Sequence, residues 1–304
     1  MPGIAPGRIL VGIDPCGDHE AALEYAAVHA ARRGWGIHLV LVQRPRWPGP
    51  DGLVEVVLVG DDLMRVDLTH LDRCEERLAY WTHGEVPVTR HIAHGAVGPA
   101  LDSAAADCDL VVLQHHRMAR PWHIPTLSVT NHVASRARVP VLAVPDGWHE
   151  ADDHPDAMLA AVEDAETSWA VAEVAFEEAA VSGCGVRLMR AWSYADDLEP
   201  DDPALRHFSA DDWTRVMHKS LATDLGPLLA DWPDIPCEIA VEHGQATHVL
   251  VLASAGARLL VIGRHEPALS IGSHLGPVTR AVLTHARCPV LVVDAHRPGP
   301  RPGS

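Results

Sequence analysis

The histidine, cysteine and hydroxyl side chains of this chain could do chemistry, but their spacing argues against several reaction classes. Its 304 residues include 21 histidines and 6 cysteines, yet there is no H-E-x-x-H or C-x-x-C pair to predict a metal or redox centre. The G-x-x-x-x-G-K-[S/T] of P-loop phosphotransferases and the G-x-S-x-G elbow of α/β-hydrolases are also missing. His115 and His116 beside Asp109 could form an acid–base group, but this position is more typical of a solvated loop. We therefore predict no catalytic residue, no metal and, at most, weak ATP hydrolysis.

The charge balance narrows the classes of partner. Aspartate and glutamate number 41 against 24 lysines and arginines, so the formal net charge is −17. A negative field repels phosphate, and this disfavours nucleic acid and anionic membranes as partners. No apolar run approaches the roughly 20 residues of a membrane helix, and no basic stretch precedes an apolar segment at the start of the sequence. We therefore expect a cytoplasmic protein, and the arginine-rich, lysine-poor composition suggests a bacterial one.

The secondary-structure elements that would position a functional site are encoded by a sequence repeat. The sequence ARVPVLAV at 137–144 returns as ARCPVLVV at 286–293, which is a shift of 149 residues. The same shift matches positions at the beginning and in the middle of each half, so the chain is predicted to be a tandem duplication. Examples are Leu10 and Leu159, Glu24 and Glu173, Gly34 and Gly183, and His94-Gly95 and His243-Gly244.

Each half alternates predicted strands with predicted helices. A short apolar run is followed by an alanine-rich helical stretch that ends at Gly34 or Gly183, and a second apolar run follows. The blocks DLVVL and RLLVI are continuously apolar, which is typical of strands buried on both faces of a parallel sheet. This pattern predicts a doubly wound parallel sheet in each half. The expected boundaries are 1–146 for domain 1, 147–156 for a linker, 157–296 for domain 2 and 297–304 for a disordered tail.

The order of elements, the aspartate after the first strand and the ending CPVLVV together resemble the universal stress protein family, over both halves. The resemblance implies two five-stranded parallel α/β domains with helices on both faces, of the adenine nucleotide alpha hydrolase-like class. It also implies that the last strands of the two domains pair about a pseudo-twofold axis. An apolar edge left bare invites aggregation, so a duplicated last strand within one chain would cover itself. One chain would then resemble a dimer of single-domain relatives.

The resemblance also implies where a nucleotide would bind. The nucleotide-binding branch of the family has an aspartate after strand 1, a small apolar residue on strand 2 and G-x2-G-x9-G-[S/T] after strand 4. Asp14, Val42 and Ser128 occupy the first, second and last of these positions in the first half. Its three glycine positions carry side chains, which should block the phosphate path, so this site is predicted to be lost for ATP. The residues at the glycine positions are Gln114, Arg117 and Leu127.

The second half matches the same pattern in part. Gly263 and Gly276 fit the first and third glycines, so bare backbone N–H groups could still approach a phosphate there. Glu163 stands for the aspartate and Ala191 for the small apolar residue, and Ser273 could supply a hydroxyl from a slipped loop. The second glycine and the final hydroxyl position are instead Glu266 and Pro277.

Three functions remain open on the sequence. The first is a non-catalytic stress-response regulatory or ligand-sensing module whose nucleotide motif is lost in domain 1 and partial in domain 2. The second is a stress protein that binds ATP or another adenine nucleotide in the second half. The third is a scaffold that binds only a protein partner, as yet unidentified. No cofactor is fixed by the residues, and further association into a homodimer is also left open.

Overall fold

The computed structural model describes residues 7–15, 17, 19–43, 60–115, 129–152, 155–163, 165–193, 209–264 and 275–295. It divides into two compact units, Met1–Ala151 and Asp152–Ser304, which we call domain 1 and domain 2. Within the described residues, no helix is both long enough and apolar enough to cross a membrane.

Domain 1 is a five-stranded parallel sheet with the strand order β3-β2-β1-β4-β5. The strands β1 and β4 are apolar along most of their length and largely buried, as the continuous apolar blocks predict. Helix α1 packs against α2, and α3 packs against α4. The elements are β1 Arg8–Ile13, α1 Glu20–Arg33, β2 Gly36–Gln43, α2 Gly60–Thr82, β3 Val88–His94, α3 Val97–Ala104, β4 Leu110–His115, α4 Val129–Arg136 and β5 Val141–Pro145.

Domain 2 repeats this topology with the strand order β8-β7-β6-β9-β10, again all parallel. Among the described residues it has one short additional helix before the third strand of the domain. The elements are β6 Ala157–Ala161, α5 Ala165–Ser182, β7 Gly185–Trp192, α6 Ala210–Asp224, α7 Gly226–Asp231, β8 Cys237–His243, α8 Ala246–Ala253, β9 Leu259–Arg264, α9 Pro277–His285 and β10 Val290–Asp294.

The glycines that end the first helix of each domain show why the two halves fold alike. Gly34 has φ of 66° and Gly183 has φ of 68°, a left-handed conformation that a Cβ atom disfavours. The N–H of Gly34 donates to the carbonyl of Ala30 and so closes the last turn of α1. The chain then enters the second strand within two residues in both domains. The predicted doubly wound, five-stranded parallel domains are confirmed, whereas the pairing of β5 with β10 remains a prediction.

The first part of the predicted linker 147–156 packs against domain 1. Trp148 is 7% exposed, and its ring centroid lies 5.0 Å from that of Tyr25 on α1. Nδ1 of His149 lies 3.0 Å from Oε2 of Glu24, which is also on α1. The backbone N–H of Glu150 donates to the same carboxylate at 3.2 Å. Residues 148–150 are therefore held by tertiary contacts, although their sequence has no helical or strand periodicity. The boundaries of the linker remain a prediction.

Candidate ligand crevices of the two domains

The candidate site of each domain lies where the winding of its sheet reverses. In domain 1, β1 is hydrogen-bonded to both β2 and β4, and in domain 2, β6 is hydrogen-bonded to both β7 and β9. The crossovers leave such a central pair in opposite directions, which opens a crevice beyond the carboxyl ends of the two strands. We call these places crevice 1 and crevice 2. The carboxyl ends of β1, β2 and β4 border crevice 1, and the carboxyl ends of β6, β7 and β9 border crevice 2.

The turn after the first strand is closed by a side chain in both domains. Asp14 is exposed, and its backbone N–H donates to Nε2 of His19 at 3.1 Å. Glu163 is also exposed, and its backbone N–H donates to Oγ of Ser168 at 2.9 Å. His19 and Ser168 correspond under the 149-residue shift and are almost fully buried. The two acidic residues therefore sit in equivalent turns that are fixed by different chemical groups.

The carboxyl ends of the second strands differ in polarity. Val42 is buried on β2, and Ala191, at the corresponding position on β7, is partly exposed. The next residue of domain 1 is Gln43, whose amide donates to the carboxylate of Asp67 on α2. Asp67 is 2% exposed. Crevice 1 is therefore bordered here by a buried amide–carboxylate hydrogen bond.

In domain 2 an indole takes the place of that polar pair. Trp192 corresponds to Gln43, is 1% exposed, and donates its ring N–H to Oγ1 of Thr214 on α6 at 3.1 Å. Its ring centroid lies 4.5 Å from that of His243 on β8. The same strand-to-helix contact is thus made with one hydrogen bond and a large apolar surface.

The end of the fourth strand of domain 1 carries a side chain that joins two neighbouring elements. Oε1 of Gln114 on β4 accepts a hydrogen bond from the backbone N–H of Ala22 on α1 at 3.3 Å. Nε2 of the same side chain donates to Oδ1 of Asp146, just after β5, at 3.0 Å. We call this the Gln114 bridge. It takes up one N–H of the first turn of α1 and the space between α1 and the end of β5.

Gly263 is the corresponding residue of β9, and close packing explains the glycine. A Cβ atom at this position would lie 3.0 Å from Cβ of Ala295 and 3.3 Å from Cγ2 of Val171. Ala295 corresponds to Asp146 and Val171 to Ala22, so apolar side chains occupy the volume that the Gln114 bridge fills in domain 1. The carbonyl of Gly263 also accepts a hydrogen bond from Oγ1 of the buried Thr279 at 3.2 Å.

No described residue packs against Gly276. It is the N-cap of α9, with φ of −61° and ψ of 162°, and no side chain of the described residues caps this end of the helix. No atom of a described residue lies within 4 Å of where its Cβ would be. Pro277 follows as the first helical residue, a position that tolerates proline but supplies no N–H group. Arg264, at the end of β9, is largely buried and pairs with Asp294 at 3.4 Å.

The comparison with known protein families decides the identity of the fold. A model of the universal stress protein family matches residues 6–145 and 156–294. The chain belongs to the universal stress protein family. The first match lies in domain 1 and the second in domain 2, so this universal stress protein has two tandem family domains.

Individual relatives cover nearly the whole chain. A universal stress protein of Mycobacterium tuberculosis strain CDC 1551 is 27% identical, in an alignment that covers 93% of this chain and 94% of the relative. The crystal structure of a universal stress protein from Archaeoglobus fulgidus matches with a TM-score of 0.65 and 14% identity, over 95% of this chain and 96% of the other. A solved universal stress protein in complex with cAMP covers 46% of this chain and 98% of its own, with 22% identity and a TM-score of 0.37.

The structure brings together part of the residue set that the family resemblance implies. Asp14 and Val42 lie at the ends of β1 and β2 in domain 1, and Glu163 and Ala191 lie at the equivalent places in domain 2. Gly263 lies at the end of β9 and Gly276 at the start of α9. The other predicted positions lie outside the described residues, and they are Ser128, Ser273, Arg117, Leu127 and Glu266.

Several residues that border the crevices of this universal stress protein were not predicted from the sequence. His19 and Ser168 close the turns at Asp14 and Glu163, and each follows its acidic residue by five positions. Aligning the two halves of the sequence at the 149-residue shift puts His19 and Ser168 at the same position. Trp192 gave no comparable signal, because an indole near a strand end has the same appearance whether it is buried or exposed. Within the described part of the chain, no group of three histidine, cysteine or acidic side chains could hold a metal ion.

Proposed function

We propose that this universal stress protein is a non-catalytic, cytoplasmic regulatory or ligand-sensing module in which crevice 1 has lost the ability to bind a nucleotide. The observation that carries this proposal is the Gln114 bridge. In the nucleotide-binding pattern a glycine at this position leaves backbone N–H groups free to approach a phosphate. In crevice 1 an amide side chain stands at this position, hydrogen-bonded to α1 and to Asp146.

The electrostatics of crevice 1 support the same proposal. Asp14 and Asp146 both place carboxylates near the carboxyl ends of the central strands, and Asp67 adds a buried one. Two negative charges 4 Å apart repel by about 4 kcal/mol at the effective dielectric of a protein surface. A triphosphate entering between these groups would be repelled by them. Crevice 1 lacks the three glycines of the nucleotide-binding pattern, whose free backbone N–H groups would offset that repulsion. A neutral or cationic ligand, or a protein partner, fits these charges better.

A second candidate function is adenine nucleotide binding in crevice 2. The observation that favours it is the start of α9, where no described residue lies near the Cβ position of Gly276 and no described side chain caps the helix N–H groups. A helix N-terminus favours negative charge, and Arg264 adds a cation at the end of the neighbouring strand. Glu163 opposes this function, because its exposed carboxylate would face the sugar and phosphates.

A thermal-shift titration with ATP, ADP and AMP tests both functions. A ligand at 100 times its Kd stabilises the folded state by about 2.7 kcal/mol, which raises the melting temperature of a domain by several degrees. If crevice 2 binds the nucleotide, Gly276→Leu abolishes the rise, whereas the control Gly226→Leu keeps it. Gly226 has equally open surroundings and begins α7 instead of α9. If no nucleotide changes the melting temperature, the second candidate fails and the first stands with another ligand.

Asp14→Ala tests the proposal for crevice 1 directly. We expect this variant to leave any nucleotide-dependent rise of the melting temperature unchanged, because Asp14 belongs to the crevice that the Gln114 bridge occupies. A rise that Asp14→Ala abolishes and Gly276→Leu leaves intact would overturn the proposal. Release of phosphate from ATP in proportion to protein concentration would overturn the non-catalytic assignment. A purely structural scaffold would show no shift with any small molecule and would be stabilised only by its protein partner.

A further inference from the structure

Domain 1 has a pair of titratable side chains in the contact between two helices. Oδ2 of Asp102 on α3 lies 3.4 Å from Nε2 of His132 on α4. The other carboxylate oxygen, Oδ1, is buried and has no hydrogen-bond partner among the described residues. Nε2 of His132 is buried as well, and its distance from Oδ2 is longer than that of an ordinary N–H···O hydrogen bond. The carboxylate of Asp102 is therefore poorly compensated when it carries its charge.

A glycine makes room for this pair, and the whole set is exchanged in domain 2. A Cβ atom at Gly98 on α3 would overlap the imidazole ring of His132, so the ring occupies space that only a glycine leaves. Helices α8 and α9 of domain 2 contact each other as α3 and α4 do. Under the 149-residue shift, none of the three corresponding residues is ionisable, and they are Thr247, Val251 and Ala281. The same helix–helix contact therefore carries an acid and a histidine only in domain 1 at these positions.

The environment of Asp102 favours the uptake of a proton. Burial raises the pKa of Asp102 above its usual value, and the positive charges of His132 and Arg136 on α4 oppose this rise without cancelling it. The folded chain therefore binds a proton here more readily than the unfolded chain does. Ionised Asp102 costs stability above the raised pKa, and this cost is relieved as the pH falls through it.

The other elements that pack against α3 and α4 also carry titratable or charged residues, which are not among the causes of this shift. They are His38 on β2, Arg90, His91 and His94 on β3, Asp107 just after α3, and His115 on β4. The response to acid at this helix contact therefore belongs to Asp102 and its neighbours on α4.

A proton can compensate the buried charge in two ways, and neither depends on the tautomer of the neutral ring. A neutral imidazole that carries its hydrogen on Nε2 can already donate to Oδ2. A second proton, on Nδ1, makes the ring a cation and turns the same contact into a charge-assisted hydrogen bond, which is stronger. Alternatively, the carboxyl group itself takes the proton, and no buried charge remains at Asp102. Because the two groups interact, the proton belongs to the pair.

We propose that Asp102 and His132 form a proton-binding site that holds α3 and α4 together more strongly as the pH falls. The site is present in domain 1 and is replaced by residues that cannot ionise in domain 2. Domain 1 thus has a local response to acid at a helix contact that is insensitive in domain 2. This inference goes beyond the proposed function and holds whether or not crevice 1 takes a ligand.

A pH titration of the isotopically labelled full chain by NMR tests the site. The ring resonances of His132 and the carboxyl carbon of Asp102 are followed from pH 8 to pH 4. We expect the titration step of the His132 ring to be seen at the Asp102 carboxyl carbon as well. The side chain of Asp102→Asn cannot ionise, so in this variant we expect the ring of His132 to take up its proton about one pH unit lower than in the natural chain. A His132 titration that Asp102→Asn leaves unchanged would overturn the proposal.

Hydrogen exchange shows whether the proton strengthens the helix contact. The triple variant Gly98→Thr, Asp102→Val, His132→Ala installs the set of domain 2 and keeps the other titrating groups of domain 1. We expect the protection of the α4 amides in the natural chain, divided by that in the triple variant, to rise about fivefold to tenfold from pH 8 to pH 5. The reason is that hydrogen bonds to charged groups are stronger than neutral ones.

The control His218→Ala removes an exposed histidine of α6, and its α4 protection should follow that of the natural chain at every pH. Should the triple variant fail to fold, Asp102→Asn takes its place in the same ratio. A ratio that does not change with pH would also overturn the proposal.

Discussion

Crevice 1 and crevice 2 are built on one topology but are filled by different chemistry. Crevice 1 is bordered by hydrogen-bonded polar side chains, the Gln43–Asp67 pair and the Gln114 bridge. Apolar contacts stand at the corresponding places of crevice 2, through Trp192 and the packing around Gly263. The two sheets keep the same strand order throughout. The two domains therefore share their strand pairing and differ in the side chains at the strand ends.

At the fourth-strand position the two domains differ by a matched set of three residues. In domain 1 a glutamine on the fourth strand lies beside an alanine and an aspartate. In domain 2 a glycine on the fourth strand lies beside a valine and an alanine. A single exchange would leave either a clash or an unpaired polar group, both of which are costly in a packed interior. The sets are Gln114, Ala22 and Asp146 in domain 1, and Gly263, Val171 and Ala295 in domain 2.

The largest effect separating the two domains is expected at the end of the second strand. Trp192→Ala should lower the free energy of unfolding of domain 2 by about 3–5 kcal/mol, because a fully buried indole leaves a large cavity. Gln43→Ala in domain 1 removes a hydrogen bond to the buried Asp67 and should cost about 1–3 kcal/mol. Urea unfolding of each variant measures both values. Equal losses at the two positions would contradict the difference in packing that we describe.

Overpacking at the fourth strand of domain 2 should have the next largest effect. Gly263→Gln forces a side chain against Ala295 and Val171, and should lower the free energy of unfolding by about 1–3 kcal/mol. Adding Val171→Ala and Ala295→Asp installs the complete set of domain 1 and should restore most of the loss. Gly276→Gln, at a position where the Cβ atom meets no described residue, should change stability by less than about 0.5 kcal/mol. A triple variant no more stable than Gly263→Gln would show that the two sets are not interchangeable.

The buried His29 on α1 should make the stability of domain 1 fall as the pH is lowered. Burial, with smaller contributions from Arg33 and Arg32, lowers the pKa of His29 from 6.5 to about 3. Between these two values the unfolded chain binds a proton that the folded chain does not. This contribution to stability is therefore present above pH 6.5 and is lost at about 1.4 kcal/mol per pH unit as the pH falls toward 3. Domain 2 carries Glu178 at the corresponding position.

The variant His29→Phe checks this pH dependence. Phenylalanine keeps a ring beside Tyr25 and Trp35, which both contact His29, and it has no proton to bind. Unfolding free energies measured at pH 7 and pH 5 should fall less steeply with acid for the variant than for the natural chain. Identical slopes would show that His29 is not the source of acid sensitivity in this helix.

The sequence anticipated the sheets well because buried parallel strands need continuous apolar residues. Blocks such as DLVVL and RLLVI are typical of strands buried on both faces of such a sheet. The repeat then placed every strand of domain 2 from its partner in domain 1. The packing of Trp148 on Tyr25 was not visible, because a tertiary contact leaves no periodic signal in a short segment.

The candidate site was less predictable than the fold. Gly263 fits the phosphate-binding pattern. A sequence does not show, however, whether a glycine is needed for the approach of a ligand or for the packing of a neighbouring side chain. Only the distances to Ala295 and Val171 explain it by packing. The role of His19 depends on a turn that brings a side chain back onto a backbone group five residues earlier, which depends on local geometry. Such contacts are set by the folded turn and not by residue type alone.

The smallest difference is expected on the exposed sheet surface. Arg187 and Glu238 form an ion pair at 2.8 Å between β7 and β8. The equivalent residues of β2 and β3 are His38 and Thr89, with Nδ1 and Oγ1 2.8 Å apart. Glu238→Gln should cost at most about 1 kcal/mol, and less at 1 M salt, because exposed ion pairs are screened. Thr89→Val should cost a similar amount without salt dependence, which unfolding at two salt concentrations measures.

The difference between the crevices is tested most directly by ATP titration of the isotopically labelled full chain, followed by backbone amide chemical shifts. We predict that the amide resonances of Asp14, Val42 and Gln114 stay unmoved at millimolar ATP, whatever happens at Glu163 and Gly276. Saturable shifts at the three residues of crevice 1 would contradict it, because they would mean that the Gln114 bridge leaves room for a nucleotide.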